Sequence, residues 1–280
     1  RNSLNITTMD YSLRALEKLG KAFNNFYFFP GNHDLYYKDK RDIHSVEFGK
    51  YIPGVTVVHH PMTDGDVTLC PWLVGDEWKQ IAKKQSRYIF GHFELPNFYM
   101  NAMVKMPDHG EIQQDHLKSY EYAFSGHFHK RQASKNIHYI GNAFPHNYSD
   151  SWDDERGMMI LEWGGAPTYY TWEGQPTFRT VSLSQLLDES DKILKPKQHL
   201  RVTLDIDISF EEASFIKEKF ISDYNLREIT LIAEKRDIEM NTDIDIQSFE
   251  SVDQIVSNQL VNIDSDTYNK TLLLSIYNSL

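Results

Sequence analysis

The chain contains 280 residues, of which 40% are hydrophobic and 25% are charged, and its formal net charge is −11. This length and composition are typical of a globular protein with one sizeable domain and room for a smaller one. The sequence has no run of 18 apolar residues, which argues against a membrane-spanning helix, and its single Cys70 excludes an internal disulfide and fits a reducing cytosol.

The first pattern along the chain predicts a helix followed by a buried strand. Apolar side chains recur at helical spacing over residues 8–24, and four aromatic residues follow one another at 26–29. The strand then ends in a loop that carries Asn32, His33 and Asp34. Because glycine, asparagine and aspartate all favour turns, this loop taken alone is more commonly a turn than a functional site.

Two later loops repeat this design of a strand that ends in glycine and a polar side chain. Residues 88–90 lead into His92, and residues 122–124 lead into His127 and His129. In an open α/β sheet, ligands bind beyond the carboxyl ends of the strands, so we expect the three loops to meet at one site. Nitrogen and oxygen donors of this kind suit manganese, iron or zinc. The predicted metal ligands are Asn32, His92, His127 and His129.

The remaining patterns before residue 183 predict further strands and one helix. Five strands are expected, at residues 55–58, 67–74, 137–140, 158–163 and 168–172. The last three should form the second sheet of a layered α/β core, and Asp76 should cap a helix that extends to residue 84. We interpret His59 and His60 as surface or supporting residues, and the acidic loop at 147–156 as a solvated turn and not a metal site.

The sequence beyond residue 183 predicts a separate small domain and a tail. Its composition predicts a linker over residues 184–198, after an expected main domain at 1–183. An alternating strand follows, and Ser209 with Glu212 forms a capping box for the next helix. A second strand completes a predicted β-α-β domain over residues 199–240. Residues 241–280 contain two helices with an apolar face, which suggests docking on a partner or on the chain itself.

The three loop motifs, taken in order, resemble those of the calcineurin-like metallophosphoesterase superfamily. They read G-N-H-D at residues 31–34, G-H-x-E at 91–94 and G-H-x-H at 126–129. Within this superfamily the chain is similar to SbcD-type DNA nuclease subunits, in particular the recombination endonuclease subunit of tailed phages. The resemblance implies a two-sheet sandwich flanked by helices, followed by a capping domain and a helical tail.

One departure from the superfamily pattern concerns the start of the chain. The superfamily opens with a D-x-H motif on its first strand and a G-D-x-x-D motif on its second, and neither motif occurs in this sequence. The chain begins at Arg1, directly before the helix that would follow the second strand. We therefore expect it to be a fragment that lacks half of the metal ligands and is inactive as given. The alternative is a full-length protein with a defective site.

The resemblance also implies a role for each motif residue. Asn32, His92 and His127 match ligands of the second of two divalent cations, and His129 matches a ligand of the first. Manganese is the expected metal. His33 matches the histidine that protonates or stabilises the leaving oxygen, and Asp34 is expected to orient its ring.

The implied activity is hydrolysis of phosphodiester bonds in DNA, exonucleolytic and also endonucleolytic near ends, in recombination, repair or phage replication. The expected partners are DNA, an SbcC-type ATPase bound through the helices at 245–280, and a second copy of the chain. The expected location is the cytoplasm, which is the host cytoplasm if a phage encodes the protein. Two alternatives stay open: a phosphatase of the same superfamily that acts on monoesters, and a non-catalytic scaffold subunit of the ATPase complex.

The distribution of charge is compatible with a DNA substrate. Residues 201–280 hold 7 lysines and arginines against 16 aspartates and glutamates, so most of the negative charge lies outside the predicted nuclease domain. Basic side chains that follow two of the metal loops could contact phosphates or could simply be solvated. They are Lys38, Lys40, Arg41, Lys130, Arg131 and Lys135. The aromatic and methionine-rich stretch at 95–106 could stack on a base, contact another subunit or pack in the core.

Overall fold

The computed structural model of the chain describes residues 4–83, 86–100, 104–108 and 112–233. They all lie in the first of two compact units, Arg1–Glu234. This unit combines helices with mixed and parallel sheets, so the expected α/β fold class is confirmed. None of its described helices has the length and apolar character needed to cross a bilayer. The end of the predicted capping domain and the predicted ATPase-binding tail at 241–280 lie outside the described residues.

Helix α1 (Ile6–Ala22) comes first and leads into a short two-stranded sheet. The side chain of Asn5 caps it by accepting hydrogen bonds from two N–H groups of the first turn. Strand β1 (Phe26–Phe28) follows and pairs in parallel with β2 (Val55–Val57). Strand β1 is half-buried and not fully buried as expected, because β2 is its only strand partner in the described part of the chain.

A six-stranded mixed sheet forms the centre of the unit, with the strand order β3-β4-β5-β6-β8-β7. Its strands are β3 (Met62–Asp64), β4 (Val67–Cys70), β5 (Tyr88–Gly91), β6 (Tyr122–Ser125), β7 (Gln132–Ser134) and β8 (Ile137–Tyr139). Strands β4, β5, β6 and β8 run parallel, and β3 and β7 join the two edges as antiparallel partners. The register pairs Gly91 with Ser125, so the loops after β5 and β6 leave the sheet side by side.

The position of β8 differs from the sequence prediction. Residues 137–140 were expected in a second sheet, but β8 pairs in parallel with β6, in the sheet that carries two of the predicted metal loops. The side chains of Ile137 and Tyr139 explain this position, because they are buried in the core beside β5 and β6. The other two strands predicted there, β9 (Met158–Leu161) and β10 (Pro167–Tyr170), form a separate antiparallel pair.

The helix predicted from Asp76 to residue 84 is a single turn, α2 (Trp78–Ile81). Asp76 lies inside a preceding 3₁₀ turn, so the helix does not begin there. Glu77 folds back at this point, where it accepts a hydrogen bond from the N–H of Val74 and forms an ion pair with Arg41. These contacts fix a tight turn in place of the expected longer helix.

A third sheet contains the predicted β-α-β unit. Its three strands run parallel in the order β11 (Thr177–Ser182), β12 (Gln198–Leu204) and β13 (Glu228–Ala233). Helix α4 (Phe210–Tyr224) connects the last two strands and begins at the predicted capping box, in which Ser209 and Glu212 satisfy each other's backbone N–H groups.

The segment predicted as a linker is not an irregular connection. Residues 184–198 contain most of helix α3 (Leu183–Ile193), which Ser182 caps. Leu183 and Leu186 are fully buried in the core of the third sheet, against side chains of β12. Burial of this apolar face explains why the segment is helical despite its polar composition. Strand β11, which ends the predicted main domain, belongs to the same sheet as the predicted capping domain.

Candidate metal centre

The first predicted loop is a 3₁₀ turn (Asn32–Asp34) that its own aspartate holds together. One carboxylate oxygen of Asp34 accepts the backbone N–H of Gly31 at 2.8 Å, and the other accepts the hydroxyl of Ser45 at 2.7 Å. The N–H of Ser45 also donates to the carbonyl of Asp34. Asp34 therefore fixes the loop on which Asn32 and His33 stand.

His92 is the point at which the three predicted loops meet. Its Nε2 lies 3.0 Å from Oδ1 of Asn32 in the first loop. A methyl group added at Gly31 would lie 2.6 Å from the ring of His92, and one added at Gly126 would lie 2.9 Å from it. Such distances are far below a normal contact, so the ring fits only because both neighbouring positions are glycine.

His127 lies next to His92 in an unusual backbone conformation. The two ring centres are 5.2 Å apart, and Trp72 packs on both rings at 5.9 and 5.3 Å. The φ angle of His127 is +81°, in the left-handed region that residues other than glycine seldom adopt. Residues in this conformation are concentrated at functional sites. Its Nε2 lies 3.0 Å from Oε2 of Glu94, which ends the second motif.

His129, the fourth predicted ligand, belongs to a neighbouring group of donors. Its ring centre is 4.8 Å from that of His146, and donor atoms of His129, His146 and Asp150 all lie within 4.8 Å of one another. Asp150 is only 2% exposed; it accepts the N–H of His146 and pairs with Arg156, both at 3.1 Å.

The acidic loop at 147–156 is therefore only in part the solvated turn that we expected. Asp150 is buried with Arg156, which also pairs with Asp153. The carboxylate of Asp154 accepts hydrogen bonds from both terminal nitrogens of Arg179. Because these three aspartates pair with guanidinium groups, this part of the loop tolerates burial that its composition alone does not predict.

Burial and mutual proximity keep the predicted histidine ligands neutral. Burial, together with the nearby His127 and His33, lowers the pKa of His92 to about 3. Burial likewise lowers the pKa of His127 to about 4, with contributions from His33 and His129. The pKa of His129 is lowered by burial first and then by His146, and His33 contributes again. Neutral imidazoles offer the free lone pair that a cation requires.

The distance between two of the predicted donor atoms is compatible with a divalent cation. Two ligands that each lie about 2.1 Å from an octahedral ion, at right angles, are separated by about 3.0 Å. The observed distance from Asn32 Oδ1 to His92 Nε2 is 3.0 Å. The structure thus brings together Asn32, His92 and His127, with His129 beside them, from loops that lie far apart in the sequence.

Four residues near these ligands were not assigned from the sequence: Trp72, Glu94, His146 and Asp150. The G-H-x-E motif contains Glu94, so that pattern could have identified it. Asp150 ends a 3₁₀ turn in the acidic loop at 147–156, which we expected to be a solvated turn. Trp72 and His146 lie in irregular segments, and no local signal in the sequence marks them.

An exposed aromatic ring with two lysines borders the third loop. Tyr99 is 37% exposed, and the ammonium groups of Lys105 and Lys130 lie 5.0 and 5.6 Å from its ring centre. The side chain of Gln132 bonds to both the N–H and the carbonyl of Tyr99 at 2.8 Å, which fixes the main chain there. Lys130 directly follows His129, so this surface adjoins the candidate centre.

Other residues considered for DNA contact are engaged elsewhere. Arg41 is buried and pairs with Glu77 through both terminal nitrogens, so its charge is neutralised within the fold. The guanidinium of Arg131 lies 4.7 Å from the ring centre of Tyr169. Within the stretch 95–106, Phe98 and Met106 are core residues.

No family model matches the chain, but one curated protein is similar to it. The two sequences are 28% identical over 244 residues. The alignment covers 75% of this chain and 71% of the other protein. Over 75% of its length, the chain is thus similar to exonuclease subunit 1 of Enterobacteria phage T4.

Proposed function

We propose that the chain is a subunit of a metal-dependent nuclease that hydrolyses phosphodiester bonds in DNA, from ends and endonucleolytically near them. The observation that carries this proposal is the convergence of Asn32, His92 and His127 from three separate loops, with the ring of His92 between two glycines. The similarity to a phage exonuclease subunit supports the same activity, in recombination, repair or phage replication.

Two divalent cations are the proposed cofactors, and manganese is the proposed metal. Asn32, His92 and His127 would hold one cation, and His129 would contribute to the other. When bound, the cations supply Lewis-acid stabilisation of the negative charge that develops on the phosphate. Glu94, at 3.0 Å from Nε2 of His127, would set the orientation of that ring.

His33 is the proposed proton donor to the leaving oxygen. Its effect on the pKa values of His92, His127 and His129 supports a position beside the proposed ligands. General acid catalysis of this kind contributes ~10²–10⁴-fold to a rate. Asp34 would act by positioning, because its carboxylate holds the loop that carries His33.

Tyr99 with Lys105 and Lys130 forms the proposed DNA-binding surface. An exposed ring can stack on an unpaired base, and the two ammonium groups can pair with the phosphates on either side. The overall charge of −11 limits the contribution that this surface can make to affinity. We therefore propose that tight DNA binding requires a partner subunit.

The proposed partner is an SbcC-type ATPase, bound through the segment at 245–280, and the proposed assembly contains two copies of the chain. The relative's name, exonuclease subunit 1, supports membership of a multi-subunit enzyme. Such an assembly would work in the cytoplasm, or in the host cytoplasm if a phage encodes the protein.

The proposal is tested with protein from the complete reading frame, incubated with manganese and either linear DNA or an aromatic phosphate monoester. We expect DNA hydrolysis that EDTA abolishes, and little monoester hydrolysis. His92→Ala should abolish manganese uptake and DNA hydrolysis together. His199→Gln is the matched control, because this histidine is not a proposed ligand and instead stacks on Phe178 in the third sheet.

Two results would contradict the nuclease proposal. Hydrolysis of the monoester without DNA cleavage would identify a phosphatase. Binding of the ATPase through residues 245–280 without uptake of any metal would identify a scaffold subunit. If His92→Ala retained full DNA hydrolysis, the candidate centre would not be the active site.

A further inference from the structure

His44, Glu47 and His59 form a second group of donor atoms, near the carboxyl end of β2. Nε2 of His44 lies 3.2 Å from Nδ1 of His59 and 3.3 Å from Oε2 of Glu47. The third distance, from Nδ1 of His59 to Oε2 of Glu47, is 3.6 Å. Two imidazole nitrogens and one carboxylate oxygen therefore form a small triangle, and none of these three residues was a predicted ligand.

The size of this triangle matches one face of a zinc coordination sphere. Ligand atoms at about 2.0–2.1 Å from a tetrahedral ion are separated by about 3.3–3.4 Å. The three observed separations lie on both sides of this value, between 3.2 and 3.6 Å. A cation could therefore contact all three atoms with only small side-chain shifts.

We propose that His44, Glu47 and His59 bind a divalent cation of the zinc class, at a site separate from the candidate nuclease centre. Imidazole and carboxylate are the side chains that such ions prefer when thiolates are absent. With three protein ligands, the fourth position would be taken by water.

Contacts within the protein hold each of the three residues in place. His44 is 1% exposed at its side chain, and its backbone forms a bridge with Leu35. Glu47 begins a 3₁₀ turn, and its other carboxylate oxygen pairs with Lys50, which leaves Oε2 facing the two histidines. The carbonyl of His59 accepts the Nε–H of the buried Arg41 at 2.7 Å.

The site opens onto a cleft. Glu47 and His59 line this cleft of about 330 Å³, together with Arg41, His60 and Glu77, whereas His44 is buried. A cation can enter through this cleft, and a water molecule has room to complete its coordination.

A cation here would brace the segment that supports the first metal loop. Ser45 lies next to His44, and its hydroxyl and N–H both bond to Asp34. His59, another corner of the triangle, lies two residues after the end of β2. The ion would therefore tie the residues after Asp34 to the end of β2, and its removal should lower the melting temperature of the protein.

The experiment measures bound zinc per chain after dialysis against zinc and then against metal-free buffer. His59→Gln is compared with His60→Gln, because both side chains are solvent-accessible and adjacent but only His59 belongs to the triangle. We expect His59→Gln to contain one zinc fewer per chain than the wild type, and His60→Gln to match the wild type. Zinc affinity at this site should fall by about 100-fold or more on loss of a ligand.

A second variant and a second signal distinguish the loss of a metal ligand from the misfolding of one variant. Glu47→Gln should also remove one zinc, and both ligand variants should lose the visible absorption of four-coordinate Co²⁺ while His60→Gln keeps it. Circular dichroism confirms that each variant is folded. Equal zinc content in His59→Gln and His60→Gln, or no change in either ligand variant, would mean that the triangle is a hydrogen-bonded cluster and would overturn the proposal.

Discussion

Replacing Gly31 by alanine should displace His92 and weaken the candidate centre without unfolding the protein. The φ angle of Gly31 is −87°, so alanine causes no backbone strain there. Its methyl group would lie 2.6 Å from Cε1 of His92, whereas carbon atoms in contact stay about 3.5–4.0 Å apart. The ring must therefore retreat by about 1 Å. Such a displacement costs on the order of 100-fold in rate, which corresponds to about 2.7 kcal/mol.

The assay combines manganese titration, DNA hydrolysis and urea unfolding of the Gly31→Ala protein. We expect weaker manganese binding and a rate about 100-fold lower, with a stability loss of about 1–3 kcal/mol from overpacking. Gly165→Ala is the control, because the nearest atom to the added methyl is a carbonyl oxygen at 3.3 Å on the surface. If Gly31→Ala bound manganese and cleaved DNA as well as Gly165→Ala, His92 would not require its present position.

Three further predictions address the proton donor, the DNA surface and the protonation of the ligands. His33→Ala should retain manganese binding but lower the rate of DNA hydrolysis by ~10²–10⁴-fold, measured in single turnovers. Tyr99→Ala should weaken single-stranded DNA binding by about 1–3 kcal/mol, measured by fluorescence anisotropy. The metal-free protein should lose about 1.4 kcal/mol per pH unit for each of His92 and His127 below pH 6.5, measured by urea unfolding in EDTA.

The sign of the pH effect follows from the lowered pKa values. Both histidines are neutral in the folded state and would titrate near 6.5 when unfolded, so the stabilisation is complete above pH 6.5. It is lost as the pH falls toward about 4 for His127 and about 3 for His92. An unfolding midpoint that stays constant between pH 7 and pH 5 would contradict this reasoning.

The other two predictions also have clear counter-results. Undiminished hydrolysis by His33→Ala would remove this residue from the mechanism. For the DNA surface, Tyr51→Ala is the control, since Tyr51 is also exposed and has Lys50 near its ring. Equal DNA affinity of the Tyr99→Ala and Tyr51→Ala proteins would show that Tyr99 has no special role.

The convergence of the three predicted metal loops could be foreseen because it depends on local patterns. Aromatic and apolar runs identified β5 and β6, and the rule for parallel strands placed His92 and His127 at the same edge of the sheet. The capping box at Ser209 was equally local and was confirmed. Short-range patterns of this kind carry their own structural information.

The errors concern contacts between residues that are distant in the sequence. Arg41 was expected either to contact phosphates or to be solvated, but Glu77, 36 residues later, binds it in the interior. Residues 184–198 appeared polar enough for a linker, yet Leu186 docks onto a core that β12 supplies. Neither contact can be predicted from the local sequence, because each depends on which elements pack next to each other in the fold.

The parallel ladder between β11 and β12 has a consequence for dividing the protein into separately expressed parts. The ladder joins six residue pairs, from Thr177 with Gln198 to Ser182 with Thr203. A recombinant piece that started at residue 199 would lack this partner strand and expose the backbone edge of β12, together with the apolar faces of Leu200 and Val202. Unprotected edges of this kind recruit other chains. Expression boundaries should therefore be placed before Thr177, so that the small sheet keeps all three of its strands.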